Sequence, residues 1–213
     1  MEGGEGGFDM RRCPVLTVAQ GARIIRNGGI VAYPTETFYG LAARADDPVA
    51  VSRIFEIKGR EKGKPISILI SSKRDLRRWV ARIGPREKKL IDCFWPGPLT
   101  LVFKAKKGVN PVLTGGSGKI GIRISPDRIA CNLARLSGGA MTATSANLSG
   151  QSPAITGSSV RQKLGKKING VVSGKKLNRS KGSSILDISS SKIKVIREGM
   201  VSVEKIQAVL KTK

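Results

Sequence analysis

The chain has 213 residues, 39% of them hydrophobic, which is enough to bury a sizeable core, and no long linker divides it. Its 39 Lys and Arg against 15 Asp and Glu give a formal net charge of +24, which indicates either a polyanionic partner or substrate, or a lysine-rich, well-solvated surface. Only 4% of residues are aromatic, so a protein that stacks single-stranded bases on an aromatic platform is poorly supported. The chain contains no histidine, which excludes Ser-His-Asp and Cys-His catalysis, histidine general bases and histidine-ligated metals.

The cysteines and the N-terminal residues indicate the compartment. The three cysteines are scattered with no CxxC pair, which argues for a reducing compartment and against a disulfide framework or a zinc site. Residues 1–12 are expected to form a flexible tail, followed by a single domain over residues 13–213. No apolar run approaches the length needed to span a bilayer. We therefore expect a soluble, cytoplasmic protein with no membrane partner.

Helix caps and hydrophobic patterning predict helices and strands that alternate along most of the chain. Thr17 is the expected N-cap of the first helix, and Asp47 followed by Pro48 begins the second. Helices are predicted at 17–27, 48–58, 73–83, 85–94, 126–136 and 203–211. Strands are predicted at 66–70, 99–103, 120–124, 140–144, 184–188 and 193–197, after a first short strand through Ile30 and Val31. This alternation favours an α/β fold with a mixed sheet.

The stretch GIVAYPTETFYGL, residues 29–41, indicates a strand that ends in a loop rich in hydroxyl groups. Pro34 cannot continue a strand ladder, and Gly40 permits a close turn of the backbone. Ligands bind at strand ends in open α/β sheets, so the hydroxyls of Thr35 and Thr37 are candidates for hydrogen bonds to a small polar molecule. The alternative is a turn in which these hydroxyls bond their own backbone.

A cluster of basic residues follows the second predicted helix. Lys58, Gly59 and Arg60 are followed by Lys62 and Lys64, so point charges and a forked guanidinium come together beside a flexible backbone. Such a cluster suits a triphosphate, although it is neither a Walker A loop nor a GxGxxG fingerprint. The alternative is a set of cations that stabilise a helix C-terminus and continue as a solvated loop.

Two further segments place small polar residues at predicted strand ends. In TATSANLSG, residues 142–150, small side chains leave room for a ligand, and Ser145 and Asn147 supply directed polar contacts. The alternative there is an Asx or Ser turn. Near the C-terminus, Ser183 can bond a ligand and Arg197 can pair with phosphate, with an exposed, unpaired arginine as the alternative.

Six motifs, in this order, connect the chain with a known family. They are YPTETFYGL, KGR-x3-KPI, FWPGPLT, the GIR at residues 121–123, TSANLSG, and the late SS with IREG. From about residue 21 through the last helix the chain resembles the YrdC/TsaC family, the L-threonylcarbamoyladenylate synthases, in its single-domain form. The resemblance implies a YrdC-like fold, a twisted mixed sheet flanked by helices, with a large basic concave cleft. It also implies a nucleotidyltransferase that makes threonylcarbamoyl-AMP and pyrophosphate from L-threonine, bicarbonate and ATP, for threonylcarbamoyladenosine modification of tRNA next to the anticodon.

The resemblance also implies roles for individual residues. It places L-threonine at Thr35, Arg123 and Ser183, and ATP at Lys58, Arg60, Lys62, Ser145, Asn147 and Arg197. Lys58 and Arg60 would hold the phosphates and act as the catalytic residues. ATP would bind as a substrate with Mg2+, held mainly by phosphates and water, with no metal site and no prosthetic group of the protein's own. tRNA and a threonylcarbamoyl-transferase complex would act downstream, and direct RNA binding is a further expectation.

The chain departs from the family pattern at a few positions. Leu69 is expected to take the place where relatives often carry a histidine, so a threonine contact made there in relatives is not carried over to this chain. The usual Ser-Thr pair of the late motif is Ser183-Ser184, and the proline after the central strand is shifted by one residue, to Pro126.

Two hypotheses from other classes remain. One is a non-catalytic double-stranded RNA or tRNA-binding, or ribosome-associated, module, which the net charge and the basic run over residues 163–181 favour. The other is a carbamoyl-transfer domain of the kind found inside hydrogenase-maturation proteins. The lack of acylphosphatase-like and zinc-finger segments counts against that second hypothesis.

Overall fold

Two mixed β-sheets with helices packed around them form the framework of the protein. The computed structural model describes residues 13–61 and 63–211. The strands are β1 Val15–Leu16, β2 Val31–Tyr33, β3 Gly40–Ala42, β4 Ile68–Ile70, β5 Leu99–Lys104, β6 Lys119–Arg123, β7 Ala140–Thr142, β8 Thr144–Ser145, β9 Gly170–Val172, β10 Ser184–Asp187 and β11 Lys194–Arg197. The helices are α1 Val18–Arg26, α2 Pro48–Lys58, α3 Leu76–Trp79, α4 Pro85–Phe94, α5 Pro111–Thr114, α6 Arg128–Leu136, α7 Gly157–Leu164 and α8 Val203–Lys211.

The strands divide between a five-stranded and a six-stranded sheet. The first has the order β1-β9-β2-β3-β8 and the second the order β11-β10-β5-β6-β4-β7, and each contains parallel and antiparallel pairs. The predicted α/β class with mixed pairing is confirmed, with the strands in two sheets rather than one. A β-bridge between Arg44 and Met141 and a hydrogen bond from the Ala45 N–H to the Ala140 carbonyl join the two sheets.

Capping residues fix the helices that flank the sheets. Thr17 accepts a hydrogen bond from a backbone N–H in the first turn of α1, and Asp47 accepts two in the first turn of α2. These predicted N-caps are confirmed. At the other end of α2, Gly59 adopts a left-handed conformation with φ of 56°, so the chain turns immediately before Arg60.

The helix predicted over residues 73–83 is much shorter in the structure. A 3-10 turn at Lys73–Asp75 leads into α3, which ends at Trp79. Val80 is extended and pairs with Ala105, just beyond β5. Val80 is also buried, so its β-branched side chain and the strand pairing outweigh the helical pattern of the basic residues before it.

Several short elements were not predicted from the sequence, among them β1, β3, β9, α5 and α7. In β3, Gly40 pairs with Tyr33, and a Cβ at Gly40 would lie 2.9 Å from the Tyr33 ring. The glycine therefore serves a close approach between strands rather than the turn that the sequence predicted. The turn itself occupies the residues between β2 and β3.

An extended segment without regular structure, residues 173–183, connects β9 of one sheet to β10 of the other. The Tyr39 hydroxyl donates a hydrogen bond to the Lys175 carbonyl at 3.3 Å. The Ser180 hydroxyl donates one to the Thr37 carbonyl at 3.4 Å. These bonds hold the segment against the loop that follows β2.

Two apolar clusters form the core. The larger includes Phe103 and Trp95 and contains residues of both sheets. The smaller packs α1 and α6 against β2 and includes Tyr33, Leu69 and Met141. Burial of both clusters supplies the main favourable free energy of folding and holds the strand ends of the two sheets near each other.

Some predictions concern residues that the structure does not describe. The flexible tail predicted at residues 1–12 and the candidate Lys62 lie outside the described residues. The single-domain organisation over residues 13–213 stays a prediction. Within residues 13–61 and 63–211, no helix combines the length and apolar character needed to cross a bilayer.

Candidate active site

A cleft opens where the strand ends of the two sheets meet, and its residues include most of the candidates from the sequence. The first cavity of the cleft has a volume of about 250 Å³. The candidates that line it are Thr35, Thr37, Arg60, Arg123, Ser145, Ser183 and Arg197. A second cavity, also of about 250 Å³, is lined by the candidates Lys58, Arg60, Ser145 and Asn147. The two cavities adjoin, because Arg60 and Ser145 line both.

The Thr35 hydroxyl bonds its own loop. It donates a hydrogen bond to the Phe38 carbonyl at 2.7 Å and accepts from the N–H groups of Thr37 and Phe38 at 3.1 and 3.2 Å. Thr35 is only 3% exposed. The turn in which hydroxyls bond their own backbone, which was the alternative interpretation of the sequence, therefore describes this loop. Thr35 borders the first cavity and fixes the shape of its wall.

The Lys58 ammonium group is buried and hydrogen-bonded to protein carbonyls. It donates to the Ser145 and Asn147 backbone carbonyls at 2.5 and 2.7 Å and lies 3.4 Å from the Asn147 side-chain carbonyl. An ammonium group has three donors, so these contacts account for all of them. Burial, with a smaller contribution from the charge of Arg60, lowers the pKa of Lys58 to about 8. Lys58 thus ties the end of α2 to the loop after β8.

Arg60 lies at the junction of the two cavities and keeps hydrogen-bonding capacity for a ligand. One guanidinium nitrogen donates to the Pro65 carbonyl at 3.0 Å. Its Nε is buried and has no hydrogen-bond partner among the described residues. Burial lowers the pKa of Arg60 below its ordinary value. An unpaired buried donor is costly, so this nitrogen indicates a place for an anion that supplies the missing acceptor.

Arg123, the last residue of β6, is paired with a carboxylate. Its Nη1 donates to Glu36, and the Ser125 hydroxyl donates to the other oxygen of the same carboxylate. Burial lowers the pKa of Arg123, and the nearby charge of Arg197 acts in the same direction. Arg123 also lines the first cavity, so one face of this ion pair borders the cleft.

Arg197 and Ser183 form a hydrogen-bonded pair on the other side of the first cavity. The Arg197 Nη2 donates to the Ser183 carbonyl at 2.6 Å and lies 3.2 Å from its hydroxyl. The Ser183 hydroxyl is 3.1 Å from that of Thr100, which lines the same cavity. The pairing of β10 with β11 and with β5 brings these three side chains together.

The side chains of the cleft are chemically suited to anions. Three guanidinium groups and several hydroxyls line the first cavity, and the second adds the cations at the end of α2. Guanidinium groups bind carboxylates and phosphates through paired hydrogen bonds. In the part of the chain that the structure describes, no group of three or more acidic or cysteine side chains comes together to hold a metal ion.

Some residues of the site were not identified from the sequence. Glu36 and Ser125 hold Arg123, and Ser67 and Thr100 line the first cavity. Glu36 stands inside the YPTETFYGL motif, which is the signal that marks it. Leu69, which the resemblance matches to a family histidine, is fully buried in the smaller apolar cluster, whereas Ser67 two residues earlier borders the cleft.

Named proteins are similar to this chain over most of its length. Threonylcarbamoyl-AMP synthase of Thiobacillus denitrificans is 36% identical over 169 residues, which cover 79% of this chain and 89% of that protein. A putative threonylcarbamoyl-AMP synthase of Methanocaldococcus jannaschii is 37% identical over 182 residues, which cover 85% of each protein. The crystal structure of P. abyssi Sua5 complexed with L-threonine is similar with a TM-score of 0.87 and 35% identity. That similarity covers 91% of this chain and 57% of the P. abyssi chain.

The fold is α/β, with a cleft lined by three arginines between two mixed sheets. The model of the Sua5/YciO/YrdC family, which carries the description "Telomere recombination", matches residues 23–199. The chain belongs to this family. The resemblance found in the sequence motifs is confirmed.

Proposed function

We propose that the protein is an L-threonylcarbamoyladenylate synthase that converts L-threonine, bicarbonate and ATP into threonylcarbamoyl-AMP and pyrophosphate. The names of the relatives from Thiobacillus denitrificans and Methanocaldococcus jannaschii support this activity. The complex of P. abyssi Sua5 supports L-threonine as a substrate. The observation that carries the proposal is the convergence of Arg60, Arg123 and Arg197 on one cavity. Each of the three substrates carries a carboxylate, carbonate or phosphate group for which a guanidinium is a suitable partner.

L-threonine would occupy the part of the first cavity between Arg123 and Ser183. Arg123 is buried at the end of a strand, so its planar fork is held in place to bind the substrate carboxylate. The hydroxyls of Ser183 and Thr100 lie close together and can exchange hydrogen bonds with the substrate hydroxyl or amine. Thr35 supports this site by shaping the loop that borders it.

ATP would bind across the junction of the two cavities. Arg60 lies at this junction, and its Nε lacks a partner among the described residues, which supports a phosphate contact there. The candidate ATP residues are Lys58, Arg60, Lys62, Ser145, Asn147 and Arg197, of which Lys62 lies outside the described part. Lys58 would contribute its positive charge while its ammonium group holds the loop after β8. Together these groups would form the basic concave cleft that the family resemblance implies.

The proposed chemistry proceeds in two balanced steps. The threonine amine attacks bicarbonate, which gives a carbamate and releases water. A carbamate oxygen then attacks the α-phosphorus of ATP, and the bond to the β-phosphate breaks to release pyrophosphate. Arg60 and Lys58 would neutralise the charge that develops on the leaving pyrophosphate, and the cleft would hold the reactants in line. These steps need no histidine and no prosthetic group.

Mg2+ would accompany ATP as a ligand of the nucleotide. The first cavity is lined by cations and hydroxyls, and Glu36 already accepts hydrogen bonds from Arg123 and Ser125. This set of groups does not fit direct coordination of Mg2+, which prefers carboxylate and water oxygens. Phosphates and water would therefore hold the ion, and no step above depends on a metal bound to the protein.

Measurement of pyrophosphate release tests the proposed function. The purified protein is incubated with ATP, Mg2+, bicarbonate and L-threonine, and each component is omitted in turn. We expect release to require L-threonine and bicarbonate, and mass spectrometry to detect threonylcarbamoyl-AMP. Release that is the same without L-threonine would refute the synthase. Turnover with carbamoyl phosphate in place of L-threonine and bicarbonate would instead support a carbamoyl-transfer domain.

Direct RNA binding is a second function that one observation favours. The chain has no acidic residue between Asp127 and Asp187. The basic residues of this stretch are Arg128, Arg135, Arg161, Lys163, Lys166, Lys167, Lys175, Lys176, Arg179 and Lys181. We propose that the exposed members contact the phosphate backbone of tRNA in the cytoplasm. A transferase complex would then use threonylcarbamoyl-AMP to modify that tRNA. Affinity for tRNA that falls steeply between low and physiological salt supports this surface, and affinity that does not change with salt argues against it.

A further inference from the structure

Glu36 is a charged residue that contacts Arg123 from behind the cleft lining, and the proposed reaction has no direct use for it. Its carboxylate accepts one hydrogen bond from Arg123 and one from Ser125. The side chains of Arg123 and Glu36 are 7% and 14% exposed. The pair is thus largely removed from water, where charged hydrogen bonds are strong and the loss of one partner is costly.

Two elements hold the Glu36 carboxylate independently of any ligand. The Thr35 hydroxyl closes a turn around Glu36, because it bonds the Phe38 carbonyl and the N–H groups of Thr37 and Phe38. Ser125 is fully buried, and its hydroxyl also accepts a hydrogen bond from the Asp127 N–H at 3.1 Å. The carboxylate is therefore anchored to the loop after β2 and to the start of α6. The position of the carboxylate is set by these two elements and not by Arg123.

The Arg123 guanidinium borders the cleft, whereas Glu36 contacts this guanidinium from the side away from the cleft. Arg123 lines the first cavity, and Glu36 lines a third cavity of about 550 Å³ together with Lys175 and Lys176. A guanidinium has five N–H donors in a planar fork, so one bond to Glu36 leaves donors for a second carboxylate. The charge of Arg197 opposes that of Arg123. A fixed anion at Arg123 therefore also reduces the repulsion between two cations in the cleft.

We infer that Glu36 is a positioning residue for the substrate carboxylate: it holds Arg123 by Nη1, with the support of Ser125, so that the remaining guanidinium donors bind the carboxylate of an amino-acid substrate. This inference rests on the proposed function, which supplies L-threonine as that substrate. Affinity for the carboxylate then depends on Glu36, although Glu36 does not touch the substrate. Affinity for ATP, which would bind at Arg60, is independent of Glu36.

Steady-state kinetics of Glu36→Gln test this role. The amide keeps the size of the side chain but removes the charge that holds Arg123. We expect the KM for L-threonine to rise about tenfold or more and the KM for ATP to stay within about twofold of the wild-type value. Ser125→Ala, which removes one of the two bonds to the carboxylate, should raise the KM for L-threonine by less. Glu56→Gln, on the exposed side of α2, is the matched control and should change neither value.

Comparison of L-threonine with L-threoninamide separates positioning from a general effect on folding. We expect calorimetry to show that the wild-type protein prefers L-threonine, and that Glu36→Gln reduces this preference about tenfold, because the contact that is lost concerns the carboxylate. An unchanged preference in a folded Glu36→Gln variant would overturn the inference. A lower KM for L-threonine would also overturn it, since Glu36 would then compete with the substrate for Arg123.

Binding measurements also distinguish this inference from the proposed function. If the wild-type protein binds L-threonine and Glu36→Gln binds it more weakly, the role of Glu36 stands, and a lack of pyrophosphate release refutes only the synthase. If the wild-type protein releases pyrophosphate and Glu36→Gln keeps the wild-type KM for L-threonine, only the role of Glu36 is refuted. A wild-type protein that neither binds L-threonine nor releases pyrophosphate overturns both.

Discussion

Two groups of cleft residues differ in what their hydrogen bonds hold: one group bonds the protein itself, and the arginines keep donors that face the cleft. Thr35 and Lys58, both prominent in the sequence motifs, direct their polar groups to carbonyls of the protein itself. Arg60 keeps a buried nitrogen without a partner among the described residues, and Arg123 uses one nitrogen for Glu36 while it borders the cavity. Motif residues therefore include those that build the cleft and those that are available to a ligand.

Arg60→Ala is the sharpest test of the ligand-facing group. Removal of the guanidinium from the junction of the two cavities should lower kcat/KM for pyrophosphate release about a thousandfold, because the charge on the leaving pyrophosphate loses its main partner. The free energy of unfolding should change little. Arg74→Ala, at an exposed position on the 3-10 turn, is the control. Near wild-type turnover in Arg60→Ala would show that the phosphates bind elsewhere.

Lys58→Met tests the group that builds the cleft. Its removal leaves buried carbonyls of Ser145 and Asn147 without a donor, so we expect the free energy of unfolding to fall by about 3 kcal/mol, together with activity. Urea denaturation measures this loss. Lys64→Met, which removes an exposed lysine, should leave stability within about 0.5 kcal/mol of wild type. Loss of activity at full stability would move Lys58 into the ligand-facing group.

The pH dependence of stability offers a second test of Lys58. Its pKa in the folded protein is about 8, below the ordinary value of 10.5, so the unfolded chain binds more protons between these two pH values. The contribution of Lys58 to the free energy of unfolding should therefore rise with pH across this window, by up to about 1.4 kcal/mol per pH unit. The difference between wild type and Lys58→Met, measured from pH 7.5 to 10.5, reports it. A difference that falls with pH contradicts the assignment.

Ser183→Ala should have the smallest effect of the three variants. The hydroxyl of Ser183 contacts Thr100 and Arg197, so its removal weakens one polar contact with the substrate and leaves the guanidinium bound to the Ser183 carbonyl. We expect the KM for L-threonine to rise about fivefold with kcat almost unchanged. An equal rise in the KM for ATP would place Ser183 in the nucleotide site instead.

Prediction of the fold from the sequence succeeded where local chemistry decides and failed where tertiary contacts do. Thr17 and Asp47 were correct as N-caps because their hydrogen bonds lie within four residues. Strands β3 and β9 were not predicted because three residues that are buried on both faces show no alternation of polar and apolar residues. The helix predicted over residues 73–83 was wrong beyond Trp79 because Val80 pairs with Ala105, which is distant in the sequence.

The same distinction applies to the site. The motif resemblance indicated Arg60, Arg123 and Arg197, and the structure places all three on one cavity, although their individual roles stay predictions. Glu36 could not be assigned from local pattern because its partner Arg123 lies 87 positions away. The role of Glu36 follows only from its contact with Arg123, which joins the loop after β2 to the end of β6.

The contact between Glu36 and Arg123 shows that the cleft lies at the junction of the two sheets. The loop that carries Glu36 continues from the five-stranded sheet, and Arg123 ends a strand of the six-stranded sheet. A substrate held by groups from both sheets would fasten them together, so occupancy of the cleft adds to global stability, by about 2.7 kcal/mol at a ligand concentration one hundred times Kd. Backbone amides near the Arg44–Met141 bridge should then exchange hydrogen more slowly when substrates are present.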